Sequence, residues 1–118
     1  MKTESVFISR LNQSVTYHIG QNAKDNFAVI DSAESPQDIW FHAADESSCH
    51  VVCLIPLAMD KKVRHLIIKQ GALLCKINTP KLRSLKNAEI IYAEIEKVKK
   101  THIDGQVSLE GGCKKVSI

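Results

Sequence analysis

The stretch DIWFHAADESSCHVVCLI, residues 38–55, holds the only Trp of the chain, two of its five His and two of its four Cys. It alternates as paired strands do, with residues 44–48, ADESS, as the polar turn between them. Alternation puts Asp38, Trp40 and His42 on one face of the first strand and Ile39, Phe41 and Ala43 on the other. In the second strand Cys49, Val51 and Cys53 share a face, and His50, Val52 and Leu54 share the opposite one.

Upstream, SVFISR (5–10) and SVTYHIG (14–20) read as a hairpin turning at LNQ. The segment from Asn22 to Pro36 reads as a helix. Asn22 is its N-cap, Asp25 completes an imperfect capping box, and Phe27, Ile30 and Ala33 are expected to face the core. Downstream, residues 60–77 give the clearest helical period. Asp60 caps it, with Val63, Leu66, Ile67, Leu73, Leu74 and Ile77 on one stripe. Gly71 inside that helix marks close packing against the sheet. One helical turn is expected after Pro80. Residues 89–95 read as a strand for their β-branched and aromatic content. Residues 106–110 and 114–118 read as a last hairpin across Gly111 and Gly112. The sum is an α+β domain spanning residues 1–118, an antiparallel sheet built from hairpins with two helices packed on it.

Composition is that of an ordinary globular chain, 44% hydrophobic and 25% charged. No apolar run is long enough for a transmembrane helix, so no membrane partner is expected. The N-terminus has no apolar h-region, so no secretory signal is read. Cysteines at 49, 53, 75 and 113 lack zinc-ribbon spacing, and the simplest reading is four reduced thiols in a cytoplasmic or nuclear protein. The net charge of +3 hides an asymmetry: residues 1–60 carry three Lys/Arg and eight Asp/Glu, residues 61–118 thirteen and five. Either the halves neutralise each other, or a basic surface meets an acidic polymer.

A zinc site at His42, Cys49, His50 and Cys53 fits poorly, because His50 points away from both cysteines. A Cys49–His50 nucleophile fails for the same reason, while Cys49 with His42 across the hairpin stays open. No catalytic residue, metal or cofactor is expected. Nucleic-acid binding has more support. Lys61, Lys62, His65, Lys69 and Lys76 lie on one helix face with Arg64 at its edge; Arg83, Lys86, Lys97, Lys99 and Lys100 form a second basic run, and Lys114 with Lys115 a third. Gln21, Asn22 and Lys24 stand at a helix mouth whose free amides suit an anion. The expectation is that these cations gather into one zone beside Asn22. With only 5% aromatics, phosphate and shape recognition of folded RNA fits better than base stacking.

The motifs resemble the NFACT RNA-binding domain, in its stand-alone form. Gly20, Asn22 and Asn26 match that family's Gly-x-Asn-x-x-x-Asn. Asp38, Trp40, Phe41 and His42 match its Asp-Leu-Trp-Phe-His, with Ile39 for Leu. His50, Val51 and Val52 match Gly-Ser-His-Val-Val, with Ser48-Cys49 in place of Gly-Ser. Lys97, Lys99 and Lys100 precede Gly105 and Val107 as in the family's basic run and Gly-x-Val strand, and its Tyr-Thr survives as Tyr92-Ala93. The resemblance implies a non-catalytic module that binds structured RNA, tRNA or rRNA on a ribosomal subunit, in translation or ribosome quality control. DNA is a further candidate polymer. A protein-interaction adaptor and an RNA-modification accessory factor are the alternatives, and oligomeric state stays open. The same reading has Trp40 and Phe41 covering opposite layers of the sheet. Asp38, His42 and His50 are then expected to form one polar network beside Asn22 and Asn26.

Overall fold

The computed structural model describes residues 1–118. Strands β1 (Lys2–Ile8) and β2 (Gln13–Ile19) form the first hairpin, with Val6 opposite Val15. Asn12 closes its turn in the left-handed region, φ 51°, where Asn is tolerated better than most residues. Helix α1 (Ala23–Asp31) follows, then β3 (Ile39–Ala43) and β4 (Val51–Leu54), paired antiparallel with Trp40 opposite Val52. Helix α2 (Lys61–Ile77), the short α3 (Pro80–Arg83), β5 (Glu89–Glu94), β6 (Val98–Lys100), β7 (Val107–Leu109) and β8 (Lys114–Ser117) complete the chain. Six strands make one antiparallel sheet in the order β1-β2-β4-β3-β5-β8, and β6 pairs with β7 in a second, smaller sheet.

The central strands are buried on both faces, because an apolar layer covers each. On one side Phe41, Val51 and Cys53 pack against Val63, Ile67, Ala72 and Cys75 of α2. Gly71 is required there: a Cβ at this position would overlap the Phe41 ring. Tyr17 is fully buried on the same side, and its hydroxyl donates to the Ile67 carbonyl at 2.8 Å. On the other side Trp40 and Val52 meet Val29 and Ile30 of α1 and Val98 of β6. Burying a side chain of this size stabilises a fold by roughly 1.5–3 kcal/mol, so Trp40 and Phe41 each tie a separate layer to one strand.

Three expectations are corrected. The face that α2 buries is rotated from the apolar stripe read in the sequence: Ile68, Gly71, Ala72 and Cys75 are buried, whereas Leu66 and Ile77 are each 43% exposed. Small side chains let the helix sit close to the sheet, and that approach outweighed hydrophobicity. Residues 106–110 and 114–118 do not form a hairpin. Gly111 and Gly112, at φ 77° and 82°, carry the chain from the small sheet to the edge of the large one, so β7 pairs with β6 and β8 with β5. In α1, Asn26 and Val29 are buried with Ile30, while Phe27 and Ala33 are only partly covered.

Candidate nucleic-acid interface

The sheet and α2 place two candidate surfaces at opposite ends of the molecule. At one end, a polar cleft of about 410 Å³ opens between the start of α1, the β3–β4 loop, the residues after α2 and the β6–β7 loop. Gln21 and Asn22 line it, as do Asn26, His42 and His50. Asn22 caps α1 as read: its Oδ1 accepts from the Asp25 N–H at 2.9 Å. The Asp25 carboxylate accepts from the Gln21 N–H rather than from Asn22, and it also meets the N-terminal ammonium at 2.9 Å.

His50 organises this end. Its Nδ1 accepts from Trp40 Nε1 at 3.1 Å. An indole N–H only donates, so Nδ1 is bare and the proton sits on Nε2, on the side of the Gly105 backbone. The His50 N–H donates to Asn26 Oδ1 at 3.1 Å, and the Gly20 N–H donates to the His50 carbonyl at 2.9 Å. One residue therefore ties β3, α1 and the end of β2 together. Burial, and next the neighbouring His42, push the His50 pKa down to about 3, against the Gly105 hydrogen bond. Gly105 needs its freedom: φ is +80°, and an added Cβ would stand 3.0 Å from Ala23 Cα.

His42 stacks on Trp40 with ring centroids 5.6 Å apart and planes 6° from parallel. Its Nδ1 lies 2.7 Å from the Ala43 carbonyl, which can only accept, so Nδ1 carries the proton. Burial lowers its pKa, the Ala43 hydrogen bond opposes that, and Lys81 adds to the lowering. His42 and His50 meet edge to face at 4.8 Å. Asp38 does not belong to this network. It sits at the far end of β3, where Oδ2 accepts from the Glu34 and Ser35 N–H groups and Oδ1 from Ile55. A five-residue strand separates its two ends too far for one network.

Cys49 takes no part with His42. It lies on the α2 side, where its Sγ donates to the Cys75 carbonyl at 3.4 Å and Thr79 Oγ1 donates to it at 3.4 Å. The Cys75 thiol donates to the Cys49 carbonyl at 3.5 Å; the proximity of the two thiols lowers the Cys49 pKa and raises that of Cys75. Burial pushes Cys53 up to about 12. No group of three or more His, Cys, Asp or Glu comes together as a metal site.

The cations gather elsewhere. Lys61, Lys62 and His65 flank a shallow depression with Arg10 of the β1–β2 turn. Arg64 and Lys97 line a neighbouring cleft of about 260 Å³ with Lys114. Lys69 and Lys99 are exposed. Lys61 and Asn78 bracket α2, whose 17 residues span about 25 Å at ~1.5 Å per residue. The expected single zone beside Asn22 is therefore not formed. The cleft lining contains no Lys or Arg, and Lys24 alone of the proposed cations stands on the first turn of α1. Two lysines that sequence reading missed are hydrogen-bonded to lining residues: Lys2 to Asn78 at 3.3 Å and Lys81 to Ser47 at 3.1 Å. Only the register of β1 and the placement of α3 bring them there.

Neutralisation between the halves is slight. Ten of the thirteen Lys/Arg in residues 61–118 make no ion pair, the exceptions being Lys81, Lys100 and Lys115. Lys100 pairs with Asp31 at 2.6 Å and lies over the Phe27 ring, which withdraws it from the free cations.

An α+β scaffold that leaves most of its basic half unpaired defines a module suited to polyanions. The chain belongs to the NFACT RNA-binding domain family, whose model matches residues 5–116. That family is a nucleic-acid-binding, non-catalytic kind of module. Among solved structures, the fold is similar to that of the C-terminal part of the fibronectin/fibrinogen-binding protein from Streptococcus suis, with TM-score 0.77 and 22% identity. The likeness covers 100% of this chain and 45% of that one, so this chain spans less than half of that length. Comparison with curated proteins gives no match. No helix is long and apolar enough to cross a membrane.

Proposed function

We propose that the chain binds structured RNA, tRNA or rRNA on a ribosomal subunit, through phosphate contacts, in the cytoplasm and in the service of translation or ribosome quality control. The observation that carries the reading is the set of unpaired cations on and beside α2: Lys61, Lys62, Arg64 and Lys69, with Lys97 in the same cleft as Arg64; Lys99 of β6 is exposed and unpaired as well. Free cations release condensed counterions when they meet phosphates, which makes binding steeply salt-dependent. The test is filter binding of tRNA, an rRNA hairpin and duplex DNA across a salt series. Lys61→Glu with Lys69→Glu should weaken every RNA alike and flatten the salt slope. Absence of RNA affinity at low salt would overturn the reading, and equal affinity for DNA would broaden it to nucleic acid at large.

A second reading has an observation of its own. Leu66, Leu73 and Ile77 are exposed on α2 beside Lys62 and Lys69, a mixture that also suits an acidic helix of a protein partner. Partners that survive nuclease treatment in a pull-down would favour this adaptor role.

A further inference from the structure

The cleft at the far end of α2 has the wrong chemistry for a phosphate. None of its 15 lining residues is Lys or Arg, and the one carboxylate among them, Asp104, would repel an anion. What it offers is neutral. Asn26 is only 7% exposed, and its Oδ1 is committed to the His50 N–H. Its Nδ2 has no protein partner, yet every fully buried side-chain polar atom in the molecule is bonded. That N–H donor therefore opens onto the cleft it lines. His42 supplies the complement. With its proton on Nδ1, Nε2 is an acceptor that no protein group occupies, and the stack on Trp40 holds the ring in place.

We infer that this cleft receives one unpaired nucleobase of the bound RNA, its edge read by the Asn26 amide and His42 Nε2. The inference rests on the RNA reading above and adds a second, chemically different contact to it. Bases display neighbouring donors and acceptors on their edges, and RNA recognition commonly splays single bases into such sites. The volume, about 410 Å³, lies in the range of roughly 300–1,000 Å³ typical of small-molecule sites. The flexible amides of Gln21 and Gln106, also in the lining, can adapt to different edges. Lys2 and Lys81 stand at the rim, where the phosphates flanking such a base would pass; each also meets an acid at 3.4 Å, Lys2 with Glu4 and Lys81 with Glu46. Depressed basicity keeps the His42 ring neutral, so it stays an acceptor at neutral pH.

The test is NMR of the full chain, following the Asn26 side-chain amide and the His42 imidazole. Adenosine, cytidine, guanosine and uridine are titrated separately, with ribose 5-phosphate as the phosphate control. At least one nucleoside should move both signals saturably, ribose 5-phosphate should not, and His42→Phe should weaken that nucleoside by tenfold or more at unchanged melting temperature. Should His42→Phe fail to fold, His42→Gln serves in its place. If no nucleoside moves the signals, or if ribose 5-phosphate moves them equally, the inference is overturned. RNA binding with a silent cleft sinks this inference alone. Nucleoside binding without RNA affinity sinks the RNA reading and leaves the cleft site standing.

Discussion

Trp40 Nε1 donates to His50 Nδ1 at 3.1 Å across the β3–β4 pair, and both side chains are 1% exposed. This bond fixes the His50 tautomer, with the proton on Nε2 facing the Gly105 backbone of the β6–β7 loop. Trp40→Phe keeps a ring in the layer but removes the donor. It leaves His50 Nδ1 buried without a partner, at a cost of roughly 1–3 kcal/mol. Urea unfolding should show that loss; a midpoint equal to wild type would mean the bond carries nothing.

Acid should weaken the fold before carboxylates titrate. An unfolded His binds its proton near pH 6.5, whereas the native His50 does so only near 3. Between these values the unfolded chain takes up a proton that the native chain refuses, so stability falls as pH falls through this window. The limit is about 1.4 kcal/mol per pH unit for one such group. His42, also lowered, acts in the same direction. Unfolding free energies measured from about pH 7 to about pH 5 should decline, and His50→Gln should flatten the decline. A level profile would contradict the buried neutral imidazole.

Gly71→Ala ordinarily favours a helix, by about 1 kcal/mol. Here the added methyl meets the Phe41 ring, and overpacking typically costs about 1–3 kcal/mol. The net should be destabilising, and more so for Gly71→Val. A raised melting temperature for Gly71→Ala would show that α2 does not press on the sheet at that point.

Not all lysines should count equally toward RNA. Lys61→Ala removes a free cation and should reduce the salt slope by about 0.7–0.9. Lys100→Ala removes one already held by Asp31 and should change the slope much less. Equal effects would indicate that the Asp31 pair opens on binding.

Thiol accessibility offers a further check. Cys113 is exposed, while Cys53 and Cys75 are fully buried with thiol pKa values pushed up. Under native conditions an alkylating reagent should label Cys113 first, then Cys49 from the cleft, leaving the other two until unfolding. Early labelling of Cys53 would contradict the packing of β4 against α2.

Much of the scaffold was legible because strand alternation and helix caps are local. Trp40 and Phe41 must point to opposite faces whatever surrounds them, and Asn22 and Asp60 cap with their own side chains. The candidate site was legible in part. The motifs name Asn22, Asn26, His42 and His50, and these do meet in one cleft. Asp38 shares a strand face with Trp40 and His42 yet sits at the other end of β3, since a shared face says nothing about distance along it.

What the chain's order of residues determined by itself is which face each side chain takes and where most elements begin, since sterics and the backbone period act between near neighbours. Tertiary structure alone decided three things: that α2 turns its small residues to the sheet, that β7 leaves β8 for β6, and that Lys61, Lys62 and Arg64 lie a helix length from the polar cleft. Each depends on which distant surfaces fit closely enough to exclude water, and no local period encodes that fit.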